Sequence, residues 1–420
     1  MNHPSDPKPA VIPPKFILPF IMVTLLFALW GFANDITNPL VKAFRDIFQI
    51  SNAQSSLVQF AFYGGYATMA IPAAVFIRKY SYKSGIVIGL SLYALGAMMT
   101  VPASLFESFN LFLLGFYVLT FGLAFLETTA NPYILSMGPP ETATRRLNLA
   151  QAFNPMGSLT GMFVAMFYIQ KQLTGERAND LEIVRTPYLV IGAVVIVVMI
   201  AFLLVRLPRQ GDATGDVHLF TTARRLLKNL NYVEGVVAQT FYVGAQIMVW
   251  TFIFHYAEDS LGMPSDEASK YNIAAMIIFC SSRFICTFLL KYFSPGILLA
   301  GLAAGGVATT LGAIFLGGYP GLYALVGISA CMSLMFPTIY GIALEGLGDD
   351  AKLASAGLIF AIVGGALMPP LQGLIIDLGQ VAGMSATRFS FFLPALCFVI
   401  IAAYGWRSSR RNLLMIRDLN

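Results

Sequence analysis

Twelve long apolar runs, joined mostly by connections of a few residues, leave this chain little choice of fold. A helix needs about 20 mainly apolar residues to cross the hydrocarbon core of a bilayer. Within that core every backbone N–H and C=O must be paired inside the protein, so spanning segments are helices or strands of closed barrels. These runs are too long and too evenly apolar for strands. The first six lie at 16–41, 54–78, 84–103, 108–135, 147–170 and 186–206; the second six lie at 231–257, 269–290, 297–316, 320–344, 353–376 and 386–406. Hydrophobic residues make up 57% and charged residues 11% of the chain, where a soluble domain carries about 25% charged residues. The expected fold class is an all-α membrane protein with twelve transmembrane helices in two six-helix bundles.

One connection breaks the pattern of short loops. Residues 207–230 are polar and then basic, and they divide the spans six and six. The expected organisation is a first bundle over 1–206, a cytoplasmic linker over 207–230 and a second bundle over 231–420. Equal halves about a linker fit transporters that bind substrate between the halves near the midplane. The tail 1–14 is polar and leads into the first span without a small-residue cleavage site, so that span is expected to remain in the mature chain.

Orientation follows from Lys and Arg, which concentrate in cytoplasmic loops. With the N-terminus inside, eighteen fall on the cytoplasmic side and seven outside, while Arg283 stands within a span. Both termini are therefore expected in the cytoplasm. The same distribution accounts for the net charge of +5 without a nucleic-acid partner. Cys280, Cys286, Cys331 and Cys397 lie in apolar runs without ligand spacing, and three scattered His residues complete no cluster, so neither a metal nor a cofactor is expected. No P-loop, potassium-filter string or Gly-x-Ser-x-Gly elbow occurs. These absences argue against an ATP-driven pump, that type of channel and a hydrolase. The chain reads as a transporter, not an enzyme, that draws on a gradient or merely facilitates.

The polar residues inside the spans narrow the function. Glu127 is the single charge in the run from Leu111 to Ile134. An ionisable group at membrane depth costs at least about 2.5 kcal/mol, so it marks a pathway, a proton relay or a buried ion pair. Its alternatives are a structural pair with Arg283 or a basic loop residue, and a proton carrier. Desolvation favours the neutral acid, which suits the second. Asn131 lies one turn on and shares its face, and Pro132 loosens the backbone there. In the first span Asp35 and Asn38 share a face; Asp35 either sits in interfacial water or faces a cavity open to the outside. Asn148, Gln151 and Asn154 recur every three residues in the fifth span, and Gln239, Tyr242 and Gln246 form a stripe on the seventh. Amides donate and accept, as sugar hydroxyls require, but both stripes could equally be glue between helices. Gln59, Phe62, Tyr63, Tyr271 and Asn272 are weaker candidates. Arg283 more readily anchors a helix or a contact between halves than touches a neutral substrate. Gly157 and Gly161 read as plain helix packing.

Several strings are familiar as well as informative. Leu126-Glu-Thr-Thr-Ala-Asn-Pro132, Arg146-Leu-Asn-Leu-Ala-Gln-Ala-Phe-Asn154, Tyr242-Val-Gly-Ala-Gln246 and Phe336-Pro-Thr-Ile339 resemble the major facilitator superfamily, in its L-fucose–proton symporter branch. Ser81-Tyr-Lys-Ser-Gly85 stands where the superfamily usually carries its Gly-x-x-x-Asp-Arg-x-Gly-Arg-Arg signature. The resemblance implies the major facilitator fold, alternating access about a central sugar site, and a carboxylate pair on the first and fourth helices. Glu127 matches the fourth-helix glutamate, and Gln151 and Asn154 match cavity positions of the fifth helix. The branch's first-helix aspartate aligns with Asn38, whereas the carboxylate here is Asp35, one turn earlier. Proton coupling is thus expected at Glu127 and Asp35. Contact with a small neutral sugar is expected at Asn38, Asn131, Gln151, Asn154, Gln239, Tyr242 and Gln246. The partners are that sugar, a proton and the lipid bilayer, with the protein acting as a monomer. A glucose, galactose or amino-sugar transporter of the same branch and a drug–proton antiporter are the rival readings.

Overall fold

The computed structural model describes residues 10–37, 40–50, 54, 57–208 and 219–418. Among them, eleven continuous helices are long and apolar enough to cross a membrane. Numbered with the interrupted fifth crossing, the first to fourth spans are Pro14–Thr37, Phe60–Lys79, Tyr82–Leu105 and Phe109–Ser136. The sixth to ninth are Arg177–Leu204, Leu230–Leu261, Glu267–Leu289 and Pro295–Leu316, and the tenth to twelfth are Gly318–Leu344, Gly348–Ile376 and Ala386–Arg411.

The fifth crossing is interrupted. It consists of a helix Ala143–Gln151, a second helix Asn154–Phe163 and a π-helical stretch Val164–Gln170. Pro155 sits in the first turn of the second helix, where its missing N–H is tolerated. The sixth span starts at Arg177, nine residues ahead of the apolar run. Its polar first turns lie outside the hydrophobic stretch, and buried Asp180 accepts the Thr174 and Gly175 N–H groups to hold the preceding turn. Two other elements escape hydropathy altogether: the short helix Leu40–Phe48 and the linker helix Leu219–Lys228. A two-residue hairpin pairs Gln380–Val381 with Met384–Ser385, closed by Ala382 and Gly383 at positive φ.

Spans one to six pack on one another, as do seven to twelve, which gives two six-helix bundles. In the first bundle the fifth span lies on the first, and the fourth lies on the second and third; in the second the seventh lies on the eleventh and twelfth. Gly157 explains the closest approach. A Cβ there would fall 1.9 Å from the Ala28 carbonyl oxygen, so only glycine lets the fifth span reach the first. The bundles meet where the second, fourth and fifth spans face the eighth, tenth and eleventh. Large apolar side chains such as Val190, Val197 and Leu204 remain exposed on the outer faces, as lipid contact requires.

Candidate sugar cavity and buried carboxylate

Between the bundles a cavity of about 1300 Å³ opens on the face opposite the linker helix. Its walls come from the end of the first span (Asn34, Asp35), the start of the second (Phe60, Tyr63) and the eighth (Asn272). It narrows to a pocket of about 100 Å³ that shares Asn34, Asp35, Tyr63 and Trp250 with it. Gln151, Asn154, Tyr242 and Gln246 all line this pocket. Helical periodicity explains why: residues three and four apart share one face, and that face is turned inward on both the fifth and seventh spans. Aromatic rings from both halves complete it. Trp30 lies 6.5 Å from Phe336, Tyr242 6.2 Å from Phe336, and Trp250 meets Phe279 edge-on at 5.0 Å. Amides beside aromatic faces provide hydrogen bonds for hydroxyls and flat apolar surface for the C–H side of a ring.

The other candidate residues fall elsewhere. Asn38 lies outside the described residues, as does the side chain of Gln59. Gln239 is fully buried and lies off the pocket wall, with no hydrogen-bond partner for its amide among the described residues. Asn148 faces the opposite bundle and donates to Thr338 Oγ1 at 3.1 Å, so it ties the halves together. Asn131 is fully buried behind the wall. Its Nδ2 donates to the Glu127 carbonyl oxygen at 3.0 Å, and its Oδ1 accepts from Gln151 Nε2 at 2.7 Å. Trp30, Asn34 and Phe279 line the pocket and were not singled out from the sequence. Trp30 and Asn34 are four apart and share one face of the first span, so their spacing from each other was the available signal.

Glu127 is 2% exposed, and neither carboxylate oxygen has a hydrogen-bond partner among the described residues. The pair with Arg283 is not formed. Tyr66, on the pocket wall, and Tyr340, from the opposite half, likewise bury hydroxyls without a hydrogen-bond partner among the described residues. Asp35 differs: it lines both cavities and is only partly buried.

Three prolines organise the seal beneath the pocket. A proline in a helix lacks the N–H that would bond the carbonyl four residues earlier. Pro155 thereby leaves Gln151 C=O free, Pro337 leaves Ser333 C=O free, and Pro132 leaves Thr128 C=O free. Arg283 takes the first two: Nη1 donates to the Gln151 oxygen at 3.0 Å and Nε to the Ser333 oxygen at 2.5 Å. Ser355 Oγ faces the third: its single hydroxyl proton is shared between the Lys352 oxygen of its own helix at 2.7 Å and the Thr128 oxygen at 3.2 Å. The Arg283–Gln151 and Ser355–Thr128 bonds cross between the bundles. Closer to the linker, Gly341 packs against Thr144, where a Cβ would fall 2.7 Å from Thr144 Oγ1. Asp350 pairs with Arg225 of the linker helix at 2.6 Å and lies 3.8 Å from Arg78, and Lys352 Nζ sits 4.7 Å above the Tyr82 ring. The halves are thus closed on the linker side and open on the other.

Comparison with known proteins agrees with this geometry. Residues 23–362 match the family model of the Major Facilitator Superfamily. The L-fucose-proton symporter of Haemophilus influenzae is 53% identical over 95% of this chain and 98% of its own length. The L-fucose-proton symporter of Escherichia coli is 35% identical over 93% of each. A glucose/galactose transporter of Brucella abortus is 31% identical over 92% of this chain and 93% of its own length. Among solved structures, the superfamily transporter FucP in its outward conformation superposes with a TM-score of 0.85 at 33% identity, covering 94% of this chain and 99% of that one. The chain therefore belongs to the major facilitator superfamily, in the branch that contains the L-fucose–proton symporters.

Proposed function

We propose that this protein imports a neutral hexose or deoxyhexose, L-fucose first, together with a proton, by alternating access. The observation that carries the coupling is the buried Glu127 carboxylate, without a hydrogen-bond partner among the described residues, on the helical turn whose main chain holds Asn131 and, through it, Gln151 of the pocket wall. The wall carries the chemistry a sugar needs, and two relatives at 53% and 35% identity are L-fucose–proton symporters. The glucose/galactose transporter at 31% identity keeps those hexoses as the second reading. The test is uptake of labelled L-fucose into proteoliposomes under an inward pH gradient, with D-glucose and D-galactose as competitors. Accumulation that collapses with the pH gradient is expected. Accumulation of glucose or galactose but not fucose would move the assignment within the branch, and no uptake of any of them would end it.

Within this reading Gln151, Asn154, Tyr242 and Gln246 touch the sugar, and Asp35 acts at the mouth of the cavity. A lost hydrogen bond in a dry site costs about 1–3 kcal/mol, or about 5- to 150-fold in affinity. Gln151→Ala and Gln246→Ala are each expected to weaken L-fucose binding by a factor in that range while the protein still inserts. Calorimetric or fluorescence titration reads this directly, and unchanged affinity in both would remove these amides from the site.

The boundaries 1–206, 207–230 and 231–420 describe the bundles and linker, with both termini and the linker in the cytoplasm of a bacterial inner membrane and the monomer as the working unit. The cavity then opens to the outside, the side on which the superposed FucP structure is open by its description. Thr221, exposed on the linker helix, offers a test. Thr221→Cys is expected to react with an impermeant thiol reagent in inverted vesicles and to stay unlabelled in intact cells. Labelling from outside intact cells would invert the topology.

A further inference from the structure

An amide side chain can turn either end toward a ligand, and the two ends do opposite things: the NH₂ donates and the oxygen accepts. Gln151 lines the pocket, so which end it presents decides which substrate group it recognises. The answer lies one residue behind it. The Glu127 carbonyl can only accept, so the Asn131 group beside it at 3.0 Å is the Nδ2 donor. That forces Oδ1 of the same amide to the other side, where it accepts Gln151 Nε2 at 2.7 Å. One of the two Nε2 hydrogens is held by Asn131, which turns the NH₂ end of Gln151 toward the fourth span and the Oε1 end toward the pocket. Asn131 is fully buried and off the pocket wall, so it exerts this control without touching the substrate. The polarity is set from the main chain outward, and the setting carbonyl belongs to Glu127 itself.

We propose that Asn131 is a positioning residue that locks Gln151 as a hydrogen-bond acceptor and so makes the pocket select a substrate hydroxyl that donates. The inference rests on the sugar reading above and changes the role of Asn131 from contact to control. It also ties the wall of the sugar pocket to the helical turn that holds the buried carboxylate.

The experiment is a binding series with L-fucose and its monofluoro analogues, each with one hydroxyl replaced by fluorine, which is about the same size and cannot donate. In the unmodified protein at least one analogue is expected to bind at least about tenfold more weakly than L-fucose. In Asn131→Leu the Gln151 amide is free to turn, so L-fucose binding falls and that discrimination shrinks to within about threefold. Asn131→Asp restores it: ionised or neutral, its oxygen still accepts Gln151 Nε2. Discrimination that survives in Asn131→Leu, or is lost in Asn131→Asp, overturns the proposal. A second measurement needs no sugar. The melting shifts of Asn131→Leu, Gln151→Leu and the double variant are expected to be clearly non-additive, because one contact is lost in all three. Additive shifts would overturn the proposal on their own. Non-additive shifts in a protein that binds no sugar would instead overturn the transport reading and leave the contact standing.

Discussion

Glu127→Gln is expected to exchange sugar across the membrane down its own gradient and to accumulate none against it. The carboxylate is 2% exposed, and its oxygens have no hydrogen-bond partner among the described residues. A lone charge buried there is costly. Under the proposed coupling, the neutral side chain crosses an occluded state and the charged one resists the passage. Glutamine is neutral at every pH and nearly isosteric. It imitates the loaded carrier permanently, and sugar then moves without a proton to pull it. With one proton per sugar, a gradient of about one pH unit is worth about 1.4 kcal/mol, or about tenfold accumulation. In Glu127→Gln the ratio should fall to about 1 while counterflow persists. Asp35→Asn should impair driven uptake less completely, since Asp35 sits on the open cavity wall. Counterflow and pH-driven uptake measured side by side decide the matter, and full pH-driven accumulation in Glu127→Gln would leave that residue outside the proton path.

The sequence made Glu127 legible because one charge in an otherwise apolar crossing has no ordinary reason to be there. Gln151, Asn154, Tyr242 and Gln246 were legible because helical spacing fixes a face, and that face proved to be the inner one. Gln239 shows the limit of the argument. A stripe from 239 to 246 runs about 10 Å along the helix axis, and its linker-side end passes below the pocket. Face is a local property, whereas depth depends on where the partner helices close. The interrupted fifth crossing was obscured for a related reason: hydropathy is blind to a break when both pieces are apolar. The prolines at 132, 155 and 337 were visible, and so was the loss of an N–H at each. Which donor would take each freed carbonyl was not, because Arg283 and Ser355 arrive from more than 100 residues away for Gln151 and Thr128.

Those carbonyls bear on how the two faces alternate. To open toward the linker, the protein must separate the fourth and fifth spans from the tenth and eleventh. Among the described residues, polar ties cross there: Asn148 to Thr338, Ser355 to the Thr128 carbonyl, Arg283 to the Gln151 carbonyl and Asp350 to Arg78. Aromatic pairs cross as well, Phe153 with Phe284 and Trp30 with Phe336. The exposed ion pair of Arg225, a residue of the linker helix, contributes little on its own. Burial makes the inner ties the stronger ones.

Arg283 is the strongest of them, and its replacement should shift the protein toward the form open on the linker side. The residue is 3% exposed, and its guanidinium is bonded to one carbonyl in each half. Hydrogen bonds from a charged donor contribute about 1.5–3 kcal/mol each. The Ser333 bond lies within the second bundle and survives opening; the Gln151 bond does not. Only the second biases the equilibrium, so its loss should change the ratio of the two forms by about 10- to 150-fold. Arg283→Lys separates charge from geometry. Lysine keeps the cation but presents a single ammonium in place of the planar fork that spans both oxygens, so it should hold one carbonyl and recover only part of the bias. Arg283→Met fills similar space, removes the donors and should recover none. The measurement is the reactivity of a cysteine placed at Thr144, which packs against Gly341 in the closed seal, in the unmodified background and in each Arg283 variant. Faster labelling is expected in the order unmodified, Lys, Met, with driven uptake falling in the same order. Equal labelling in all three would mean that Arg283 holds the second bundle together and has no part in the seal.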